Sequence, residues 1–391
     1  MTLLRLPGAI DAHVHSRDPG YPEKEDFTSL SAAALAGGVT TVLDMPNNVP
    51  APDTGEALQL KAAFVGDRAG VNFGLWGLIR SSSTADQLRS LAEAGAIGFK
   101  AYLGYAYRHS LRSVTYSPAA AGDPDLEAPP SYDTLDRLGP VLASLGLPVA
   151  VHAEDPELLV GATRPVASYG DLLASRPAEA EALAVRRCCE LARQHGFRLH
   201  VVHLASALGV EEIRRARARG GLSLSVETCP QYLWLCDEDF ERVGPWMKMF
   251  PLIRTADDRD AVRSALLDGV IDTVGTDHAP HTAAEKDRAL GEAHAGSPGV
   301  QWLYVSALEF ARRFGGDPLQ AVRWVVERPA EIFGIEPNGE VEIDDAAVTR
   351  AGEGALSRQP RSALDGQEFG FRVQRVDVPD RGRWVRPTIE A

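Results

Sequence analysis

A chain of 391 residues with 45% hydrophobic and 24% charged content has the balance of a soluble globular protein, in one large domain or two ordinary ones. Its formal net charge of −14 makes nucleic acid and anionic membranes poor partners, and it repels an anionic substrate unless a local basic pocket offsets it. No apolar run is long enough to span a membrane, the N-terminus lacks the pattern of a signal peptide, and Cys188, Cys189, Cys229 and Cys236 show no framework spacing, so reduced thiols in a cytoplasm are expected.

The first apolar run, residues 6–10, reads as a β-strand that ends in the stretch from Asp11 to Gly20. Strand side chains alternate faces, so His13 and His15 point one way and Val14 the other. Two neutral imidazoles at a strand end form a metal-ligand pair; the plainer alternative is two satisfied buried histidines. Arg17 continues on that face, and a fixed cation there suits an anionic substrate. Further β-branched apolar runs lie at 39–45, 71–78, 96–101, 148–153, 198–203, 222–227 and 271–276. Between them, stretches with helical period lie at 26–36, 56–65, 84–94, 132–145, 179–195, 207–219 and 257–267. This alternation predicts an α/β fold, a (β/α)8 TIM barrel. An open doubly wound sheet competes, but no glycine-rich phosphate fingerprint follows the first strand.

Two segments break the rhythm. Residues 104–130, rich in Pro, Ala, Gly and Ser, form an active-site loop or a small insertion. Residues 282–297 are polar, follow strand eight and read as a mobile lid. From about residue 336 the helical pattern stops, and short strands are expected at 341–343, 369–373 and 376–378. The expected division is a barrel over 1–335 and a reduced, small β-rich C-terminal appendage over 336–391.

In such a barrel, chemistry gathers at the C-terminal ends of the strands. Strand one delivers His13 and His15 there, strand two Asn47 and Asn48, strand four Lys100, strand five His152 and Glu154, strand six His203, and strand eight Asp277, His278 and His281. Lys100 stands out. An ammonium beside divalent cations is repelled, so the amine must be neutral, and a neutral amine can take up carbon dioxide as a carbamate. The carbamate is an oxygen-donor anion able to bridge two metals. The bland alternative is a lysine at the core edge that pairs with Glu154. His109, His195, His200 and His294 are read as lying outside the site. His200, three residues before His203, is expected to face out of the barrel, and His278 to turn away.

Together, His13-Val-His15, Gly98-Phe-Lys100, Val151-His152-Ala-Glu154, Val202-His203 and Asp277-His-Ala-Pro280 resemble the binuclear cyclic-amide hydrolases of the amidohydrolase superfamily, the group of dihydroorotases, hydantoinases and allantoinases. The resemblance runs from about residue 6 to 334. It implies two divalent metal ions, zinc by default over manganese or cobalt. His13, His15 and Asp277 would hold the more buried ion and His152 and His203 the other, with carbamylated Lys100 as the bridge. It implies that two dications acidify a water and polarise the scissile carbonyl, while Asp277 moves the proton from the water to the leaving ring nitrogen.

The stretch His13 to Gly20, with Met45-Pro-Asn47 and Asp277 to Thr282, resembles dihydroorotases in particular. There Arg17, Asn47 and His281 would hold a substrate carboxylate, and Ser297-Pro298-Gly299 resembles a loop whose backbone binds the pyrimidine ring. The reaction implied is the interconversion of dihydroorotate and N-carbamoyl-aspartate. Residues 175–185, residues 226–230 and Lys100 itself read more like allantoinases, which keeps an allantoinase or hydantoinase-like enzyme as the rival. A non-catalytic homologue is the second rival, and such proteins typically lose ligands that this chain keeps. Phe250 stands where the family has an asparagine that contacts substrate in some dihydroorotases, the usual N-terminal strands of the β-sandwich are absent, and the appendage is therefore expected to come mainly from the tail. The resemblance also implies a homo-oligomer, dimer or tetramer, and association with aspartate carbamoyltransferase in some members.

Overall fold

The computed structural model describes residues 3–117, 122–379 and 382–385. The first strand, β1 (Leu3–Pro7), is followed directly by β2 (Ala9–Val14), β3 (Val39–Asp44), β4 (Asn72–Ile79) and β5 (Gly98–Tyr102). Three short strands, β6 (Tyr105–Arg108), β7 (Ser113–Tyr116) and β8 (Leu126–Glu127), precede β9 (Val149–His152), β10 (Leu199–Val201), β11 (Leu224–Thr228) and β12 (Thr273–Val274). The last strands are β13 (Glu340–Asp344), β14 (Thr349–Arg350), β15 (Glu368–Phe369), β16 (Arg372–Val378) and β17 (Gly382–Val385).

Eight strands form one parallel sheet in the order β12-β11-β10-β9-β5-β4-β3-β2. A parallel bridge between Val14 and His278 joins its two edges, and His15 N–H donates to His278 C=O at 2.7 Å. The result is the expected (β/α)8 barrel, and the seam where it closes brings the end of strand one beside Asp277. Helices at Phe27–Ala36, Gly55–Val65, Ala85–Glu93, Tyr132–Leu145, Ala178–His195, Ala207–Arg219 and Ala256–Leu267 cover the outside. Their starts follow the sequence closely because Asp26, Thr54, Thr84, Ser131, Ser206 and Thr255 each cap the first turn with a side-chain oxygen.

The barrel interior below the mouth is plugged by Ala12, Leu43, Trp76, Ala150 and Val202 with Ile332 and Phe333 from the helix Arg328–Phe333. Gly98 is required by this filling, since a Cβ there would lie 2.5 Å from the Trp76 ring. The plug matters for function because it leaves a floor on which polar side chains stand, rather than a pore.

Four strands form an antiparallel sheet in the order β1-β13-β16-β17. The appendage thus comes mainly from the C-terminal segment, as expected, but its edge strand is N-terminal. The apolar run at 6–10 is not one strand: Leu4 and Leu6 pair with Ile343 and Val341, and a new strand for the barrel begins at Ala9. Gly8 makes the break, because a Cβ at that point would meet the Thr40 side chain at 2.1 Å. Residues 104–130 contain the three-stranded sheet β7-β6-β8. Residues 282–297, expected as a mobile lid, are tied down instead. The Lys286 ammonium sits buried and donates to the carbonyls of Lys248, His294 and Gly296 at 2.9–3.0 Å, which uses all its N–H groups.

Candidate active site

The strand ends open into one cavity of about 650 Å³, a size that fits small-molecule sites in general. His13, His15, His152, His203 and Asp277 line its floor, and Arg17, Asn47 and His281 line its wall. Lys100 lies beneath, fully buried.

The backbone shows how these side chains converge. Among the described residues, only Arg17, Arg112, His203 and Asp277 are non-glycine residues with positive φ. Three of those four belong to this site, and L-residues enter that region at a cost of order 1–3 kcal/mol. At φ +42° the chain at His203 leaves strand parity, so His203 turns into the mouth just beyond β10. That overturns the parity argument for His200. Its ring is also inside the barrel, edge-on to Phe333 at 5.2 Å, with Nε2 3.8 Å from Glu227. His278 turns away as expected: it faces Glu25 at 3.2 Å and accepts from Gly299 N–H at 3.1 Å.

Hydrogen bonds fix three of the four floor histidines. His13 Nδ1–H donates to Glu227 Oε1 at 2.7 Å, and His15 Nδ1–H donates to Asn47 Oδ1 at 2.7 Å. Both rings therefore aim Nε2 at the same Asp277 oxygen, from 3.3 and 2.8 Å. Burial depresses the His13 pKa, which keeps the ring neutral with a lone pair on Nε2. Lone pairs converging on a carboxylate oxygen repel one another unless a cation lies among them. His13, His15 and Asp277 offer one ligand atom each, all within 4.8 Å of one another.

His152 and His203 repeat the logic. His152 Nε2–H donates to Glu154 Oε2 at 2.8 Å, so Nδ1 is bare and faces His203 Nε2 at 2.9 Å. His203 Nδ1 is buried without a partner. Burial lowers both pKa values, that of His203 furthest. Whichever nitrogen of His203 carries its proton, one polar atom of the pair stays unsatisfied, which a bound cation relieves. The donor set suits a borderline divalent metal.

Lys100 Nζ is likewise buried with no hydrogen-bond partner, so the alternative of an ion pair with Glu154 does not hold. Burial pulls its pKa down to about 7, although Asp277 and Glu227 oppose the shift. A large fraction of neutral amine at neutral pH follows. Asp277 goes the other way. Burial would raise its carboxyl, but any positive charge on His13, His15 or Lys100 beside it pulls it below the ordinary range.

The wall is electrostatically different. Arg17 is only 7% exposed. Its Nε donates to Pro280 C=O and its terminal N–H to His281 Nε2, both at 3.2 Å. Both partners are neutral: burial, and then Arg17 itself, hold the His281 pKa far below its usual value. Among the described residues no carboxylate lies within ion-pair distance of Arg17. Of the cations that line the cavity, Lys24 and Arg176 are paired with Glu285 and Glu154, so Arg17, Arg164 and Lys248 supply the local basic pocket that a chain of net charge −14 needs for an anion.

Two predicted contacts are not brought to this cavity. Pro298 C=O accepts from Ser362 Oγ at 2.7 Å, and Gly299 N–H is spent on His278. His294, read as lying outside the site, sits at the cavity rim with His281 and Glu285, but Lys24 Nζ occupies Glu285 at 2.7 Å. Sequence reasoning missed Glu227 as the partner of His13. Its signal was an acid ending an apolar strand, a buried charge that demands a partner. Gly275 makes room for it, since a Cβ there would lie 2.4 Å from the Glu227 carboxylate.

The model of the amidohydrolase family matches residues 4–378. A protein named allantoinase from Streptomyces avermitilis is 37% identical over 340 residues, which covers 86% of this chain and 72% of that one. A protein named dihydroorotase from Pediococcus pentosaceus is 35% identical over 352 residues, covering 88% and 77%. The solved structure of L-hydantoinase (dihydropyrimidinase) from Arthrobacter aurescens superposes with a TM-score of 0.86 at 28% identity, over 97% of this chain and 84% of that one.

Proposed function

The chain belongs to the amidohydrolase family, and from that premise we propose that this metal-dependent cyclic amide hydrolase is a dihydroorotase. The observation that carries the reading is Arg17, a buried guanidinium on the cavity wall with neutral partners only. A buried cation without a counter-ion is costly, and a substrate carboxylate would offset that cost through a two-pronged contact. Dihydroorotate carries such a carboxylate; allantoin and simple hydantoins do not. Asn47 has spent its carbonyl on His15, so its amide N–H groups remain for the ligand.

In this reading His13, His15 and Asp277 would hold one divalent ion and His152 and His203 the other, and Lys100, as a carbamate, would supply oxygen donors to both. When bound, the metals would supply a water acidified to near-neutral pKa and a polarised carbonyl. Asp277 is anionic at neutral pH and accepts the proton of the attacking water at its carboxylate. It then returns that proton to the ring nitrogen as the amide bond breaks. Arg17 and His281 hold the substrate's carboxylate end, which fixes the ring over the floor. Zinc as the resident metal, self-association and a cytoplasmic location belong to the same proposal. No helix among the described residues is long and apolar enough to cross a membrane.

An allantoinase is the second reading, favoured by the Streptomyces avermitilis relative. The segments that resemble allantoinases lie elsewhere in function: Arg176 holds Glu154 and Glu227 holds His13, so both support the floor. Arg17, Asn47 and His281, which resemble dihydroorotases, line the wall, where a substrate is told apart. Purified zinc-loaded protein assayed with dihydroorotate, allantoin and hydantoin should favour dihydroorotate. A higher kcat/KM for allantoin replaces the proposal with the second reading, and no turnover of any of them points to the non-catalytic homologue.

A further inference from the structure

Arg176 follows the helix Tyr169–Ser175 and is almost fully buried. Its Nε donates to Glu154 Oε1 at 3.2 Å, and its NH2 group donates to Glu154 Oε2. Glu154 Oε2 in turn accepts from His152 Nε2–H. The far side of the guanidinium lies on the Phe250 ring, 3.6 Å from its centroid, with Tyr116 at 4.6 Å. Phe250, Tyr116 and Arg176 all line the cavity. One chain of contacts therefore runs from the cavity wall to a floor histidine.

We infer that Arg176 is a positioning residue for the second metal site: clamped on Phe250 and Tyr116, it holds Glu154 so that Glu154 fixes His152 with Nδ1 toward His203. The inference rests on the two-ion reading above. Three features carry it. The two-pronged contact leaves Glu154 one orientation, because the planar fork matches both carboxylate oxygens at once. A carboxylate on one ring nitrogen fixes the tautomer and leaves the other nitrogen as the donor to a metal. The aromatic clamp explains why Phe250 stands where the family has an asparagine. In this chain the side chain stacks on the guanidinium while it also lines the cavity.

The test measures zinc bound per chain and the affinity of the second zinc ion. The proteins compared are the wild type, Arg176→Lys, Glu154→Ala, Phe250→Asn and, as reference, His152→Ala. Arg176→Lys keeps the charge and loses the fork and the stacking, so it separates positioning from charge balance. The expected result is second-ion affinity about 10–100-fold weaker in Arg176→Lys and Glu154→Ala, a smaller loss in Phe250→Asn, and an unchanged first ion. Excess zinc should restore turnover in Arg176→Lys, which a merely structural defect would not allow. Metal-free melting temperatures and circular dichroism report folding separately. Wild-type second-ion affinity in Arg176→Lys and Glu154→Ala, with one ion lost in His152→Ala, overturns this inference alone. A wild type that binds a single ion, or His152→Ala that keeps both, overturns the two-ion reading and this inference with it.

Discussion

The floor and the wall of the cavity treat charge in opposite ways. Every floor imidazole except His203 has an oxygen acceptor behind it: Glu227 for His13, Asn47 for His15 and Glu154 for His152. These partners take up the outer N–H groups and leave lone pairs pointing at one another and at Asp277, an arrangement that is unfavourable until cations arrive. On the wall the key group is itself a cation, and its partners are a carbonyl and a neutral imidazole. One region lacks positive charge and the other lacks negative charge, and each deficit names what it is built to receive.

Substitutions should separate the two regions. The largest effect is expected on the floor. Asp277→Asn removes the proton carrier and should lower kcat by about 10²–10⁴-fold, measured under zinc saturation; a change below tenfold would move the acid–base role elsewhere. On the wall, Arg17→Ala should cost about 2–5 kcal/mol in kcat/KM for dihydroorotate, with zinc content unchanged. An equal loss with an uncharged hydantoin would show that Arg17 supports the floor instead of the substrate. Glu227→Gln keeps an acceptor for His13 and loses the charge, so zinc affinity should fall about 10–100-fold while KM stays near wild type.

The smallest effect concerns the support behind His203. Glu181 accepts from Ala205 N–H at 3.0 Å and from Ser206 Oγ, and burial raises its pKa to about 7. The folded state thus holds a proton that the unfolded chain has released between pH 4.5 and 7. Stability from this group is fully present below about pH 4.5 and is lost as pH rises through 7. Glu181→Gln cannot ionise, so its stability relative to wild type should improve across that window in denaturant titrations; a constant difference would mean Glu181 ionises normally.

The floor was legible in the sequence because its histidines and Asp277 sit at strand ends, where a two-residue period and the C-terminal rule place them together. Arg17 was placed by the same strand face, whereas Asn47 and His281 were singled out only by the resemblance to dihydroorotases. What escaped was whatever local pattern could not encode. The pairing of Leu3–Pro7 with Glu340–Asp344 joins opposite ends of the chain, and a continuous apolar run concealed the break at Gly8. His200 was misplaced because parity holds only while φ stays extended, and His203 departs from it. Glu227 and Arg176 gain meaning only from partners distant in sequence. The lid was misread because the polarity of residues 282–297 looked like solvent exposure, whereas Lys286 turns it into an internal tie.

The most direct test is a crystal structure of zinc-loaded protein with dihydroorotate, with anomalous scattering recorded at the zinc edge. Two peaks are expected, one among His13, His15 and Asp277 and one between His152 and His203, with the ligand's carboxylate on Arg17. A peak among His281, Glu285 and His294 in place of the floor sites, or a carboxylate bound away from Arg17, would contradict the account.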